Sequence, residues 1–333
     1  MMHRWTHVLA AVAAAITGGA LLQHNSASMA SFNALRAKNG AIRLDGKVAV
    51  VTGGTSGIGR GIALRLAEAG VGVTVVGRDQ TRGDEIIAQL GAAAPKAKHS
   101  FVRCDAFLLA NVRACAAEIL AASPSGSLDY LVHSQGMATT QSFTPTAGGL
   151  DQKLSLHYWS RMALTDSLLP LLKKAEGARV LSVLSGGVHS AYAHWKEDPE
   201  VKTHYSLKNA ADAAGFYNDI GADSLAREHP TLSFMHAAPG FVNTNWGTEL
   251  PWIARCAVRC LQPLGISPAT CAEYMMAALL DSARGTGFHV VSPKSEVAVA
   301  VPEHEAAREA IWAHTKAVLA AGGTAQVAEL GSS

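Results

Sequence analysis

The chain has 333 residues, of which 49% are hydrophobic and only 16% are charged, so it can bury a large core. This composition excludes a disordered chain and a highly charged nucleic-acid binder. The formal net charge of +2 is unevenly spread, because the first 44 residues carry no Asp or Glu and four of the 28 Lys and Arg. The remainder is slightly acidic, and we expect no nucleic acid among the partners.

The five cysteines are odd in number and include no Cys-x-x-Cys motif. They predict neither a disulfide framework nor a zinc site, and we expect no metal in the functional site. Cys256 and Cys260 are interpreted as buried thiols.

The N-terminal segment, residues 1–44, contains an apolar run from Val8 to Leu22. This run is shorter than the about 20 residues of a membrane span. It suits a secretory signal core, with Ser28-Met29-Ala30 as a cleavage site. A mitochondrial transit peptide and a short membrane anchor are two further interpretations; an ordinary packed helix fits less well, because the run is apolar on all sides. We expect a targeting or anchor segment for the secretory pathway and endoplasmic reticulum or for the mitochondrion, with membrane association through it.

From Lys47 onward, short apolar runs alternate with helical stretches. This alternation predicts one doubly wound parallel sheet in a single α/β domain over residues 45–300, followed by a C-terminal helical extension at 301–333. The predicted strands are 47–51, 72–76, 101–104, 130–133, 179–184, 232–236 and 288–291. The predicted helices are 59–69, 111–121, 151–174, 205–227, 269–280 and 302–320.

A glycine-rich loop, Thr52-Gly53-Gly54-Thr55-Ser56-Gly57-Ile58-Gly59, follows the first strand and opens into a helix. Gly53 permits a tight turn, Gly57 lets the backbone approach a pyrophosphate, and Gly59 allows close packing of helix on strand. The helix N-terminus would hold the phosphates. This context makes the loop a strong dinucleotide-binding signal. Its expected contact residues also include Thr52, Ser56 and Ile58.

Arg78 follows the second strand, where an NAD-preferring site would place an acid on the ribose 2′-hydroxyl. An arginine fork suits a 2′-phosphate instead. We therefore expect NADP(H), with Arg60 as a second cation. The alternative interpretation of Arg78 is a solvated turn residue.

The spacing of the loop glycines resembles that of the short-chain dehydrogenase/reductase family, and the resemblance covers roughly residues 46–295. Asp105 after the third strand agrees with it. So do His133-Ser134-Gln135-Gly136 after the fourth, where the family usually has Asn-Asn-Ala-Gly, and Pro239-Gly240-Phe241-Val242-Asn243-Thr244 after the sixth. The resemblance implies a Rossmann fold that binds NAD(P), with Asp105 on the adenine and Thr244 on the nicotinamide amide. The cofactor site would also include Ser134, Gly136, Pro239 and Gly240.

In this family, a serine after the fifth strand binds the substrate oxygen, a tyrosine on the next helix transfers the proton, and a lysine one turn later binds the cofactor ribose. Tyrosine titrates near 10, so it needs a neighbouring cation for acid–base work near neutrality. Ser185 ends the fifth strand in the position of the family's serine. A turn serine is the alternative interpretation.

The tyrosine and lysine have three candidate pairs. The family's Tyr-x-x-x-Lys occurs literally only as Tyr192-Ala-His-Trp-Lys196, in a stretch that looks like loop. The next predicted helix offers Tyr205 with Lys208 at i+3, or His204 with Lys208 at i+4, and both spacings place the pair on one helix face. We expect Tyr205 and Lys208, because a phenol can act directly as the acid. The longer gap after the serine resembles the retinol-dehydrogenase-like branch.

Two histidines stand where the family has asparagines. Leu164-Thr165-Asp166-Ser167-Leu168-Leu169-Pro170 matches the family's Leu-Thr-x-x-Leu-Leu-Pro, and counting back from it puts His157 in place of an asparagine that holds a proton-relay water. Histidine can relay a proton, and a buried structural histidine is the equal alternative. His133 is interpreted as a packing or strand-bridging residue.

Residues 187–203 and 245–263 fall where the family builds its substrate pocket and lid. Trp246, Trp252 and Ile253 favour an apolar substrate such as a lipid, steroid or retinoid. Packing of the lid or of an oligomer face explains these residues equally well.

The leading hypothesis is an NADP(H)-dependent enzyme that interconverts an alcohol and a carbonyl of a small molecule, using Ser185, Tyr205, Lys208 and His157. A homo-oligomer is expected. The rival hypothesis is a dinucleotide-binding sensor or interaction protein that has lost efficient hydride chemistry.

Overall fold

A single eight-stranded sheet runs through the computed structural model, which describes residues 26–123, 126–244 and 252–323. The strands are β1 Val48–Thr52, β2 Gly72–Gly77, β3 Ser100–Arg103, β4 Tyr130–His133, β5 Arg179–Val183, β6 Ser233–Ala237, β7 Gly287–Val291 and β8 Val297–Ala298.

The strand order is β3-β2-β1-β4-β5-β6-β7-β8, and only the last pair is antiparallel. The order reverses between β1 and β4, where Thr52 pairs with Val76 on one side and His133 on the other. Ligands of doubly wound sheets bind at such a switch point, beyond the carboxyl ends of the strands. The predicted parallel sheet of seven strands is confirmed, and β8 adds a short eighth.

Helices cover both faces of the sheet. They are α1 Ser26–Ala41, α2 Gly57–Glu68, α3 Gln80–Ala93, α4 Leu109–Ala122, α5 Ser160–Leu172, α6 Leu207–Glu228, α7 Trp252–Leu261, α8 Pro268–Leu280 and α9 His304–Ala321. A helical turn, Gln152–Leu154, and a π-helical segment, Ser155–Trp159, lead into α5. Two 3₁₀ turns are Gln262–Leu264 and Ser282–Arg284.

Two apolar layers enclose the sheet. Alternation along the strands sends Val51 and Val75 towards α2 and α8, while Val50 and Val76 face the layer of α4, α5, α6 and α9. Because both faces are buried, the strands carry continuous apolar runs. The C-terminal helix α9 belongs to the second layer, where Ile311 is buried.

The first described helix, α1, packs on α8. The Asn39 side-chain amide donates to the backbone oxygen and to Oε2 of Glu273, both at 2.8 Å. The ring of Phe32 lies 5.5 Å from that of Tyr274. The later part of the expected targeting segment is therefore folded onto the domain, while the run Val8 to Leu22 lies outside the described residues.

Within the described ranges, no helix is both long enough and apolar enough to cross a membrane. Cys256 and Cys260 lie exposed on α7, so their interpretation as buried thiols is wrong. The apolar pattern of α7 does not distinguish a buried face from one turned to solvent.

Candidate active site

The glycine loop makes the tight strand-to-helix turn that its spacing predicts. Gly53 and Gly57 have φ angles of 68° and 55°, in the left-handed region that favours glycine. A Cβ on Gly53 would lie 2.7 Å from the backbone nitrogen of Gln135, and one on Gly59 would collide with the Gly53 carbonyl. The loop therefore has no room for side chains at these positions.

Gly57 is the first residue of α2 and faces the segment after β6. A Cβ on Gly57 would lie 3.3 Å from Cγ2 of Thr244. Gly240, with φ of 72°, turns the chain between β6 and Thr244. The structure thus brings together the glycine loop and the segment after β6, both predicted to hold the cofactor. They meet at the start of a helix, where free backbone N–H groups fit a dinucleotide phosphate.

Arg78 is exposed just beyond β2. Its guanidinium lies 5.4 Å from the centroid of the Phe107 ring, a cation–π distance. Arg60, the second expected cation, donates instead to Oε1 of Gln89 on α3 at 2.6 Å. Arg60 thus has a side-chain partner on α3, whereas Arg78 stands exposed at the end of β2.

The residues after β3 and β4 form the next two turns of this edge. The Asp105 carboxylate accepts the Phe107 N–H at 3.2 Å and is exposed. The Ser134 N–H donates to the Thr52 carbonyl at 3.1 Å, and Gln135 reaches back to the Thr52 hydroxyl. These contacts hold the loop after β4 against β1.

His133 joins three elements in the core. Its Nε2 lies 2.9 Å from the hydroxyl of Thr165 on α5, and its Nδ1 lies 3.4 Å from that of Thr52. Burial, together with the Arg161 cation, lowers the pKa of this imidazole well below its usual range. The strand-bridging interpretation of His133 is confirmed.

A fully buried arginine that no sequence motif indicated, Arg161, lies beneath the site and connects its elements. Arg161 on α5 donates to the Gln135 carbonyl at 2.6 Å, to Ser182 Oγ at 2.7 Å and to the Val183 carbonyl at 3.0 Å. Burial lowers its pKa to about 9. Arg161 therefore ties α5 to the ends of β4 and β5.

His157 lies in the π-helical segment before α5 and holds the turn after β4. Its Nε2 accepts the Met137 N–H at 3.0 Å, and a Cβ on Gly136 would lie 3.3 Å from the same nitrogen. Asn218 of α6 donates to the His157 carbonyl at 2.8 Å. Burial, then the cations of Arg161 and Lys153, lower the pKa of His157 to about 3. It is a neutral acceptor near pH 7.

Ser185 lies two residues beyond β5, against helix α6. Its hydroxyl is buried and has no hydrogen-bond partner among the described residues. A Cβ on Gly215 would lie 2.5 Å from this oxygen. The main chain of Ser185 is bound on both sides, because its N–H donates to His236 Nε2 at 3.1 Å and its carbonyl lies 2.9 Å from His189 Nδ1.

Tyr205 is not directed to Ser185. It precedes α6, its hydroxyl donates to the Gln141 carbonyl at 3.0 Å, and its ring lies 5.2 Å from the Lys153 ammonium. Burial and the Asp151 carboxylate raise its pKa, which is opposite to the shift that a proton-transferring tyrosine requires.

Lys208 is also turned away. Its ammonium pairs with Asp212, and its side chain is 74% exposed. Gly215, which meets Ser185, lies seven residues farther along α6, about 10 Å along the helix axis. The structure therefore does not bring Tyr205 and Lys208 together with Ser185.

The two alternative proton donors belong to the loop after β5. Tyr192 is buried and donates to Asp198 Oδ2 at 3.2 Å, and the His204 N–H donates to the same oxygen at 2.8 Å. The His204 ring stacks on His194 at 3.9 Å. Asp198 thus organises this loop, and the Tyr192 hydroxyl and the His204 ring are engaged within the loop itself.

A cavity of about 900 Å³ lies at the amino ends of β1 to β3, the edge opposite the glycine loop. Its lining includes Val48, Thr74, Val102 and Ile119. It is separate from the cofactor edge. Of the residues predicted to shape the substrate pocket, Trp252 is 69% exposed, and Trp246 lies outside the described residues.

A family model described as short chain dehydrogenase matches residues 47–250. The chain belongs to the short-chain dehydrogenase family.

Three relatives are similar to it. Oxidoreductase AN1596 of Emericella nidulans is 33% identical over 220 residues, which cover 65% of either chain. Polyprenol dehydrogenase of Mus musculus is 32% identical over 65% of this chain and 66% of its own. Retinol dehydrogenase 14 of Mus musculus is 28% identical over 64% and 66%.

The matches thus span just under two thirds of the length of these relatives. Among solved structures, a Mycobacterium paratuberculosis protein has a TM-score of 0.61 at 19% identity, covering 86% of this chain and 97% of its own. A Shigella flexneri short-chain dehydrogenase complexed with NADP has a TM-score of 0.56 at 20% identity, covering 75% and 98%. The Rossmann fold and the retinol-dehydrogenase-like relatives expected from the sequence are confirmed.

Within this short-chain dehydrogenase, the face of α6 next to Ser185 carries small side chains. Gly215 meets the serine, and Ala211 lies one turn before it on the same face. The two stand at the spacing of a Tyr-x-x-x-Lys pair but provide neither a phenol nor an ammonium. One turn after Gly215, Asp219 brings a buried carboxylate to this face.

Proposed function

We propose that the protein is an NADP(H)-dependent oxidoreductase that interconverts an alcohol and a carbonyl of an apolar small molecule. The observation that carries this proposal is the glycine loop, which meets Thr244 at the start of α2, with Arg78 exposed beyond β2. Two relatives are named for polyprenol and retinol, which are apolar alcohols, and this supports the substrate class.

When bound, the cofactor would supply or accept the hydride, and the accompanying proton would be exchanged with solvent water, because Tyr205 and Lys208 bind Gln141 and Asp212. The start of α2 would bind its pyrophosphate, Arg78 its 2′-phosphate and Thr244 its nicotinamide amide. The expected contacts also include Thr52, Gly53, Ser56, Gly57, Ile58, Gly59, Asp105, Ser134, Gly136, Pro239 and Gly240.

Ser185 is the hydroxyl proposed to bind the substrate oxygen, because its buried Oγ has no partner among the described residues. His157 would shape the turn beside the nicotinamide through its bond to Met137. Tyr205 is not retained as the proton-transferring residue, nor Lys208 as its partner, because their side chains bind Gln141 and Asp212.

A second candidate function is a dinucleotide-binding sensor or interaction protein. Gly215 against Ser185 favours it, and so does Ala211 one helical turn before, since these two positions provide neither a phenol nor an ammonium. Binding of the cofactor without turnover distinguishes it from the enzyme.

The test compares binding of NADPH and NADH by fluorescence titration in the wild type, Arg78→Ala and, as control, Arg82→Ala, an exposed arginine of α3. We expect NADPH to bind more tightly, Arg78→Ala to weaken NADPH by about tenfold or more, and Arg82→Ala to change neither. Equal affinities in the wild type contradict the role of Arg78.

Turnover is tested with NADPH and a panel of long-chain aldehydes and ketones, and with NADP⁺ and the matching alcohols. Consumption of the cofactor that Ser185→Ala abolishes supports the enzyme. Tight binding with no turnover across the panel favours the second candidate.

We also propose that residues 1–44 direct the chain to a membrane-bounded compartment, with membrane association through this segment, and that the domain forms a homo-oligomer. The mass of the mature N-terminus tests whether residues 1–44 are processed as a targeting segment. Cell fractionation tests membrane association, and light scattering of the purified protein tests the homo-oligomer.

A further inference from the structure

Three buried side chains from different elements meet behind Ser185. Asp219 of α6 has one carboxylate oxygen 2.6 Å from His236 Nδ1 on β6 and the other 3.2 Å from His189 Nε2 in the loop after β5. The three side chains are at most 2% exposed. Each histidine directs its remaining ring nitrogen to the main chain of Ser185.

The contacts of His236 assign its proton. Its Nε2 accepts the N–H of Ser185, so this nitrogen carries no hydrogen, and the hydrogen on Nδ1 donates to Asp219. His236 is therefore a neutral imidazole. Burial lowers its pKa, the Asp219 carboxylate opposes this, and the cations of His189 and Arg161 act with burial, so that the pKa of His236 is lowered.

The contacts of His189 favour a proton on each ring nitrogen. Its Nδ1 faces the carbonyl oxygen of Ser185 at 2.9 Å, and its Nε2 faces a carboxylate oxygen of Asp219. A neutral imidazole has one N–H, so the lone pair of its other ring nitrogen would face one of these oxygens. His189 Nε2 and this Asp219 oxygen stand at ion-pair distance, 3.2 Å, without the alignment of a hydrogen bond, so it is the negative charge of the carboxylate that favours the imidazolium.

The charges of the cluster support this assignment. Burial opposes a charge on His189, but Asp219, the Ser185 carbonyl and the more distant Asp212 together raise its pKa. Burial likewise opposes the charge on Asp219, but His236 and His189 lower the pKa of this carboxyl to about 2. A buried charge is tolerated when it is paired, and here the pair is His189 with Asp219.

We propose that His189, Asp219 and His236 are positioning residues that clamp both main-chain polar groups of Ser185 to α6, with His189 as an imidazolium and His236 as a neutral Nδ1–H imidazole. Through this clamp, Asp219 sets where the Ser185 hydroxyl stands. Gly215 leaves the space for it, because a Cβ there would lie 2.5 Å from Ser185 Oγ and 2.6 Å from His189 Cγ.

The inference rests on the proposed function in taking Ser185 as the hydroxyl that binds substrate. Its test needs no substrate, so failure of the clamp and absence of turnover are separate results. The full chain is labelled with ¹⁵N, and the histidine ring nitrogens are observed by NMR at pH 7, with the His189 signals assigned from His189→Gln.

We expect both ring nitrogens of His189 to be protonated, His236 to be protonated at Nδ1 alone, and a ¹⁵N–¹⁵N coupling to connect the Ser185 amide with His236 Nε2. Asp219→Asn should return His189 to the neutral form and weaken this coupling; the control His194→Gln, in the same loop, should preserve both. A neutral His189 in the wild type, or the absence of the coupling, overturns the proposal even if Asp219→Asn does not fold.

Discussion

At the scale of single residues, the site depends on a position that has no side chain. Gly215 lies in the middle of α6, where glycine is less favourable than alanine by about 1 kcal/mol. It is nevertheless required by packing, because Ser185 and His189 occupy the space next to its Cα. Helix propensity and packing therefore oppose each other at this residue, and the distances indicate that packing dominates.

We expect Gly215→Ala to lower the free energy of unfolding by about 1–3 kcal/mol, because the new methyl group must displace Ser185 Oγ and the His189 ring. Denaturant unfolding followed by circular dichroism measures this change. The matched control is Gly91→Ala in α3, where a Cβ meets nothing within 4 Å. The control should be neutral or stabilising by up to about 1 kcal/mol, and a Gly215→Ala protein as stable as this control would contradict the packing argument.

At the scale of elements, the sequence predicted what depends on local pattern. Apolar runs located β1 to β7, and the glycine spacing located the turn into α2, because each is written in consecutive residues. The start of α6 was harder. Ser206 caps it, its hydroxyl accepting the Asn209 N–H at 3.0 Å, so Tyr205 lies before the first turn and does not share a helix face with Lys208.

The clamp shows why the rest of the site was not predictable. His189, Asp219 and His236 come from a loop, a helix and a strand, and only the parallel pairing of β5 with β6 and the packing of α6 bring them together. No spacing in the sequence records that proximity. One signal was present, since His236 lies in an apolar strand, where a histidine is unusual.

The docking of α1 gives a prediction at this scale. Asn39 is buried and donates twice to Glu273, which also pairs with Arg65 at 2.9 Å. We expect Asn39→Ala to lower the free energy of unfolding by about 1–3 kcal/mol, because buried acceptors lose their donor. The exposed neighbour Lys38→Ala should stay within about 0.5 kcal/mol of wild type. Thermal unfolding of the two variants distinguishes them, and equal midpoints would mean that the Asn39 hydrogen bonds contribute nothing to the stability of the domain.

At the scale of the whole molecule, buried histidines link folding to pH. His133 and His157 are held neutral in the folded chain, whereas an unfolded chain protonates histidine below about pH 6.5. The unfolded state therefore binds more protons on acidification, and each such group destabilises the fold as the pH falls. His189 acts in the opposite sense, because its pKa is raised: its contribution is complete below pH 6.5 and is lost as the pH rises through its folded pKa.

We expect the free energy of unfolding to fall from pH 6.5 towards pH 3, with His157 contributing at most about 1.4 kcal/mol per pH unit, since its folded pKa is about 3. His157→Asn retains an acceptor for the Met137 N–H but does not titrate, so its unfolding energy should decline less steeply over this range. Urea midpoints measured at half-unit intervals test this, with His194→Asn as the control from the surface loop. Parallel pH curves for wild type and His157→Asn would show that His157 is protonated in the folded protein, and the assignment of its Nε2 as an acceptor would then be wrong.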